Sequence, residues 1–233
     1  MVRTIPRLAG LGLVGLLLSG GAMASGQDAR PAANGREARL IAVLKSGAPL
    51  KDKEDACVEL SRIGTKESVG PLAALLGDEK MSHIARYALE PIPDPAVDSA
   101  LRDAAGRLKG RSLIGVIGSI GVRRDAKAVE RLTALLKDRD ADVAQAAARA
   151  LGSVGTADAV KALEVALAEA PADERLAIAE GLFRCAEVFS HRDERGAAIS
   201  IYKQLDDAKM PKRVRDAAVR KARFLGQESG PTL

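Results

Sequence analysis

The chain of 233 residues contains no tryptophan, three phenylalanines and two tyrosines, so aromatic side chains make up only 2% of it. That shortage argues against β-sheets, whose half-buried faces favour aromatic and β-branched residues. It also argues against nucleic-acid binding, because no aromatic residues interleave with the basic ones to stack on bases. Two histidines, His83 and His191, and two cysteines, Cys57 and Cys185, are all the chain offers as soft ligands. No H-x-x-x-H, H-E or C-x-x-C spacing brings them together, so neither a metal site nor any other cofactor is expected. Ser190 beside His191 lacks a third orienting group, and Asp193 and Glu194 near it read as a solvated loop, so no enzyme active site is expected either. Gly115-Val116-Ile117-Gly118 matches no phosphate-binding fingerprint. Charge of one sign is not in great excess: 36 Lys and Arg face 31 Asp and Glu, a formal +5 that by itself selects no ligand.

What the chain has in quantity is alanine and helical periodicity. In residues 140–170, Val143, Ala146, Ala147, Ala150, Leu151 and Val154 follow one another at i, i+3, i+4, i+7, i+8 and i+11, a single apolar stripe on a 3.6-residue period. Gly155 ends that helix. Thr156 is placed to cap the next one, Asp158 sits in its positive first turn, and Val160, Leu163 and Leu167 carry a second stripe. A lone helix pair leaves both stripes half covered, so copies must stack.

The copies are visible. A closing segment recurs as Leu60-Ser61-Arg62-Ile63-Gly64, Leu89-Glu90-Pro91-Ile92-Pro93, Ile117-Gly118-Ser119-Ile120-Gly121 and Leu151-Gly152-Ser153-Val154-Gly155. Each is followed by a valine that opens a second apolar stripe: Val69, Val97, Val129 and Val160, separated by 28, 32 and 31 residues. Two helices per period of about thirty residues is the signature of a solenoid. The expected fold is all-α, a solenoid of about five helix pairs. Copies fall near residues 51–78, 79–107, 110–137, 140–170 and 171–207, with a partial one at 211–233, and a short helix from Arg36 to Ser46 caps the front. The second helices are expected to line the surface offered to a partner, with Glu130, Arg131, Thr133, Lys161 and Glu164 exposed on it.

The stretch from Asp138 to Leu167, with its D-x-D-x-D-V, A-A-x-A-L-G-x-V-G and A-V-x-A-L elements, resembles a HEAT repeat, in the short form named after phycobilisome lyases. The resemblance implies a right-handed α-α superhelix whose usual role is protein binding. Ala144 departs from it, standing where the family commonly has arginine, whereas Val214-Arg215 keeps the pattern. The resemblance also implies an alternative, an accessory or lyase-like role.

At the front, Arg3 and Arg7 precede an apolar run at residues 8–18 and the small residues Ala22, Met23 and Ala24, the pattern of a secretory signal peptide over residues 1–24. The run is shorter than the ~20 residues that span a bilayer. An exported, periplasmic or secreted protein follows, without a stable membrane span, and with a flexible lead-in at 25–35. Cys57 and Cys185 lie on apolar helix faces about four repeats apart, too far for the ~7 Å that a disulfide allows, and read as buried hydrophobes. At the other end, Val214, Ala218, Phe224 and Leu225 are expected to be incompletely covered. The chain then reads either as the front of a longer array, such as part of a larger exported enzyme, or as a stack whose end a partner covers.

Two basic patches stand out. One is Lys209, Lys212, Arg213, Arg215 and Arg220 with their neighbours Lys221 and Arg223; the other gathers Arg107, Lys109, Arg111, Arg123, Arg124 and Lys127, with Arg131 on the adjoining second helix. Each is either a solvated face or an electrostatic docking surface for an acidic protein segment, an anionic polysaccharide or lipid headgroups. The functional expectation is a non-catalytic scaffold for protein–protein interaction.

Overall fold

The computed structural model describes residues 29–227 apart from 173 and 208. The expected signal segment and the last six residues lie outside that range. Twelve α-helices follow one another among the described residues: α1 (Ala29–Lys45), α2 (Leu50–Ile63), α3 (Lys66–Ala73), α4 (Ser82–Leu89), α5 (Pro95–Arg107), α6 (Gly110–Arg123), α7 (Val129–Leu135), α8 (Ala141–Val154), α9 (Ala157–Glu169), α10 (Arg175–His191), α11 (Arg195–Gln204) and α12 (Lys212–Gln227). A 3-10 turn, Ala126–Ala128, leads into α7. The first helix begins at Ala29, so the second half of the expected lead-in is helical. Pro31 falls in its first turn, where the missing N–H would have had no partner in any case.

The helices are amphipathic and capped, and this is why they end where they do. Thr65, Asp94, Asp140 and Thr156 each accept a hydrogen bond from the first-turn amides of α3, α5, α8 and α9. Pro95 opens α5 behind its aspartate cap. Gly155 closes α8 in the left-handed conformation at φ 58°. The expected stop at Gly121 does not occur. α6 runs on to Arg123 and is closed by Arg124, itself left-handed at φ 53°.

Stacking completes the core, as the half-covered stripes require. The first helices α2, α4, α6, α8 and α10 lie side by side in one layer, with α3 beside α5 and α7 beside α9 in the other. Between the layers Leu60, Leu72, Leu89, Leu101, Ile117, Leu132, Leu151, Leu163 and Tyr202 are fully buried. α1 closes the front across α2 and α3, and α12 packs on α11 at the far end. The result is an α-solenoid.

The stacking is uneven. α6, α8 and α10 are tightly apposed through small residues: a Cβ on Gly152 would sit 2.5 Å from the carbonyl oxygen of Gly181, and one on Gly181 would sit 2.6 Å from that of Ala148. α4 meets α6 more sparsely than it meets α2, and α5 and α7 stand apart. Polar ties cross that gap instead. Arg123 reaches back to Asp98, Arg102 pairs with Asp125, Ser119 donates to Glu90 at 2.7 Å, and Arg131 donates to the carbonyl of Ala105 at 2.9 Å.

The far end is better covered than its stripe suggests. Val214, Ala218 and Leu225 are buried, because α12 lays them on α11, and of the four residues only Phe224 is exposed, at 58%. Cys57 and Cys185 are buried free thiols on α2 and α10.

Candidate binding edge

In a solenoid built of helix pairs, all second helices end and all first helices begin at one edge. Four clefts lie along that edge here. One, about 640 Å³, opens between the starts of α4 and α6 and is lined by Glu79, Ser82, His83, Arg86, Lys109, Arg111 and Ser112. The next, about 610 Å³, occupies the gap left between α5 and α7, with Arg107, Lys109, Arg131, Lys137 and Arg139 on its walls against Asp138 and Asp140. Lys109 borders both. Smaller clefts of about 340 and 260 Å³ continue the row at the ends of α3 and α9, the latter bordered by Lys209 and Arg175.

The two larger clefts are electropositive for local reasons. The two acids of the second cleft are engaged as turn and cap acceptors: Asp138 takes the amide of Asp140 at 2.9 Å, and Asp140 that of Asp142 at 3.0 Å. Arg107, Lys109, Arg111 and Arg139 have no carboxylate partner among the described residues, whereas Lys137 pairs with Glu169 at 3.1 Å. The start of α6 has no side-chain cap and no acid in its first turn, so its positive end adds to the same field. In the first cleft Arg86 is half-buried against Gly115, and burial lowers its guanidinium below the ordinary arginine value although the charge of Glu90 works the other way.

The expected site residues therefore divide. Arg107, Lys109 and Arg111 stand on the cleft edge, but Arg123, Arg124 and Lys127 belong to the opposite edge. α6 has 14 residues and rises ~1.5 Å per residue, putting its two ends roughly 20 Å apart. The expected second patch is not one surface. Arg123 is turned inward: its side chain is 12% exposed, it forms a forked pair with Asp98, and it donates to the carbonyls of Glu90 at 2.9 Å, Ile92 at 2.8 Å and Asp94 at 3.3 Å. Arg124 and Lys127 are exposed, and Arg131 is exposed but tied to Ala105. Thr133, expected to face a partner, is half-buried and donates to the carbonyl of Val129 at 2.7 Å, whereas Glu130 and Lys161 are exposed and Glu164 half-buried.

On the last helix, Lys212 pairs with Asp216 at 2.7 Å, Arg213 and Arg220 are exposed, and Arg215 is half-buried with its Nε enclosed and unbonded. Arg220 and Lys221 flank an apolar recess made by Phe183, Ala217 and Phe224. Lys209 lies at the cleft beyond α9. Sequence reasoning missed Arg86 and Arg139. The available signal for Arg86 was Gly115, which stands 29 positions later, about one period on.

Comparison with known proteins agrees with the geometry over the middle of the chain, where residues 99–182 match the family model described as HEAT repeats. That segment is a HEAT-repeat region. It covers α6 to α9 with most of α5 and the first half of α10, the part in which the first helices are most closely stacked. Folds built of such repeats generally serve as non-catalytic scaffolds for protein–protein interaction. No curated relative matches the chain. A solved structure of an engineered protein is similar at 18% identity and a TM-score of 0.46, over 83% of this chain and 97% of its own. Among the described residues no three His, Cys, Asp or Glu side chains are grouped to hold a metal ion, and no helix is long and apolar enough to cross a membrane.

Proposed function

We propose that the protein is an exported, non-catalytic scaffold whose cleft-bearing edge docks an acidic segment of a protein partner. The observation that carries this reading is the pair of adjoining basic clefts sharing Lys109, with Arg107, Arg111 and Arg139 left without carboxylate partners among the described residues. Unpaired cations gathered in adjoining clefts favour an anionic partner and steer its approach. The arginine-led apolar run at residues 8–18 followed by Ala22-Met23-Ala24 supports export. The likeness to the phycobilisome-lyase form of the repeat is part of this reading for the fold only, since it rests on the motifs of residues 138–167. The test is capture of partners by the full chain from the exported fraction of its source cell, with wild type beside the charge reversals Lys109→Glu and Arg139→Glu. Recovery of a stoichiometric acidic protein by wild type, lost in the reversals, is expected; recovery unchanged by both reversals overturns the docking edge.

A further inference from the structure

The cleft between α4 and α6 contains an arginine that the fold has seated but not used. Arg86 lies flat on Gly115, where a Cβ would be 2.6 Å from Nε and 2.7 Å from Cζ, so the absence of a side chain at 115 is what admits the guanidinium. Its Nη1 donates to the Gly115 carbonyl at 3.3 Å, its Nε is enclosed without a partner, and its Nη2 makes no hydrogen bond among the described residues. A guanidinium carries five N–H donors in a rigid fork that matches a carboxylate or phosphate oxyanion. Here one nitrogen is satisfied and no carboxylate pairs with it. Ser82, His83, Arg111 and Ser112 line the same cleft with further donors, and Glu79, its one acid, is exposed.

The second basic cleft lies one repeat further along, across α6. Helix layers stack ~8–10 Å apart. An extended chain rises ~3.3 Å per residue, so three residues of it cover one layer. Resting on the docking role proposed above, we infer that Arg86 is the anchoring seat of an oxyanion site, and that its occupant is a carboxylate of an extended partner segment with acidic residues at every third position. One acid then meets Arg86 and Arg111, and the next, after passing Lys109, meets Arg107 and Arg139. Side chains three apart in an extended strand point to opposite faces, so the segment must twist as it crosses α6, as a polyproline-like chain with three residues per ~9 Å turn does. That conformation returns every third side chain to the same face at the spacing of the helix layers.

The experiment uses the full chain and two labelled peptides of identical composition, one with glutamate at every third position in a proline- and serine-containing background and one with its glutamates contiguous, read by fluorescence anisotropy. Inorganic phosphate is a separate titrant. Expected are preferential binding of the spaced peptide, and about tenfold weaker binding in Arg86→Met and in Arg111→Ser, the size of one lost charge-assisted contact. Arg111 is exposed and unpaired, so its substitution keeps the test open if Arg86→Met unfolds. Equal binding of both peptides overturns the spacing, and binding unchanged in both Arg86→Met and Arg111→Ser overturns the Arg86 seat; loss of either binding in Lys109→Glu then keeps the docking edge. Binding of phosphate with no binding of either peptide assigns the cleft to a free anion and overturns the peptide occupant. Absence of binding by all three overturns the seat and counts against the edge itself.

Discussion

Replacing Arg123 with methionine keeps most of its aliphatic stem and removes the fork that ties α6 to the repeat before it. The change leaves Asp98 without its cation and three carbonyls, those of Glu90, Ile92 and Asp94, without their donor. Deleting one partner of a well-buried ion pair costs ~3–5 kcal/mol, because the other charge stays behind. Asp98 retains 23% exposure, so water recovers part of its solvation and the lower end applies, about 3 kcal/mol. With a urea slope of about 2–3 kcal/mol per molar, the midpoint of the transition followed by circular dichroism falls by roughly 1–1.5 M. Arg124 is the internal control. It is exposed and left-handed at φ 53°, and Arg124→Gly relieves a conformation that costs a side chain ~1–2 kcal/mol, so it is expected to be neutral or stabilising. Two adjacent arginines thus carry opposite expectations. A loss below about 0.5 kcal/mol at Arg123, the range of an ordinary surface substitution, would refute the structural role assigned to it.

Two further outcomes follow from buried groups. The carboxylate of Glu37 on α1 accepts the Thr65 amide at 2.7 Å and the Ser68 hydroxyl at 2.5 Å; burial alone would raise its pKa, but these hydrogen bonds outweigh it and hold the group below its ordinary 4.5. A depressed carboxyl stabilises the fold fully above its unfolded value and loses that contribution as pH falls through the folded one. The stability gap between wild type and Glu37→Gln, measured by urea denaturation, is therefore expected to be full at pH 7 and to shrink below pH 4.5; a gap independent of pH would remove the clamp. Burial pushes the thiols of Cys57 and Cys185 up to about 11 and about 12, so neither is expected to react with a thiol-directed disulfide reagent at pH 8 until urea unfolds the chain. Fast stoichiometric labelling of the native protein would contradict their burial.

The solenoid was legible because stacking writes itself as periodicity: the stripe of α8 and the valines near every thirtieth residue report which faces must be covered. The cap at Thr156 was legible for the same local reason. The helix end at Gly121 was not, because a glycine in this fold also serves apposition. A Cβ there would approach the Cα of Ala150 to 3.1 Å, so the residue is packed inside α6 rather than closing it. The binding edge was half legible. Composition gathered Arg107 to Lys127 into one patch, but the length of α6 separates them, and the contacts that withdraw Arg123 from solvent join residues 25 to 33 positions apart. No local pattern carries that information. Phe224 was readable as uncovered, whereas Val214 and Leu225 beside it were not readable as buried, since their cover comes from α11.

The meeting of α4 with α6 is sparser than the first-helix junctions behind it, and hydrogen bonds from Arg86, Ser119 and Arg123 tie it instead of interlocked small residues. The ion pairs beside it, Arg102 with Asp125 and Arg123 with Asp98, are screened as salt is added, whereas the close-packed glycines and alanines further along carry no charge to screen. A ligand lying across both neighbouring clefts would bridge that junction from outside and add to the few contacts that hold the front repeats to the rear ones.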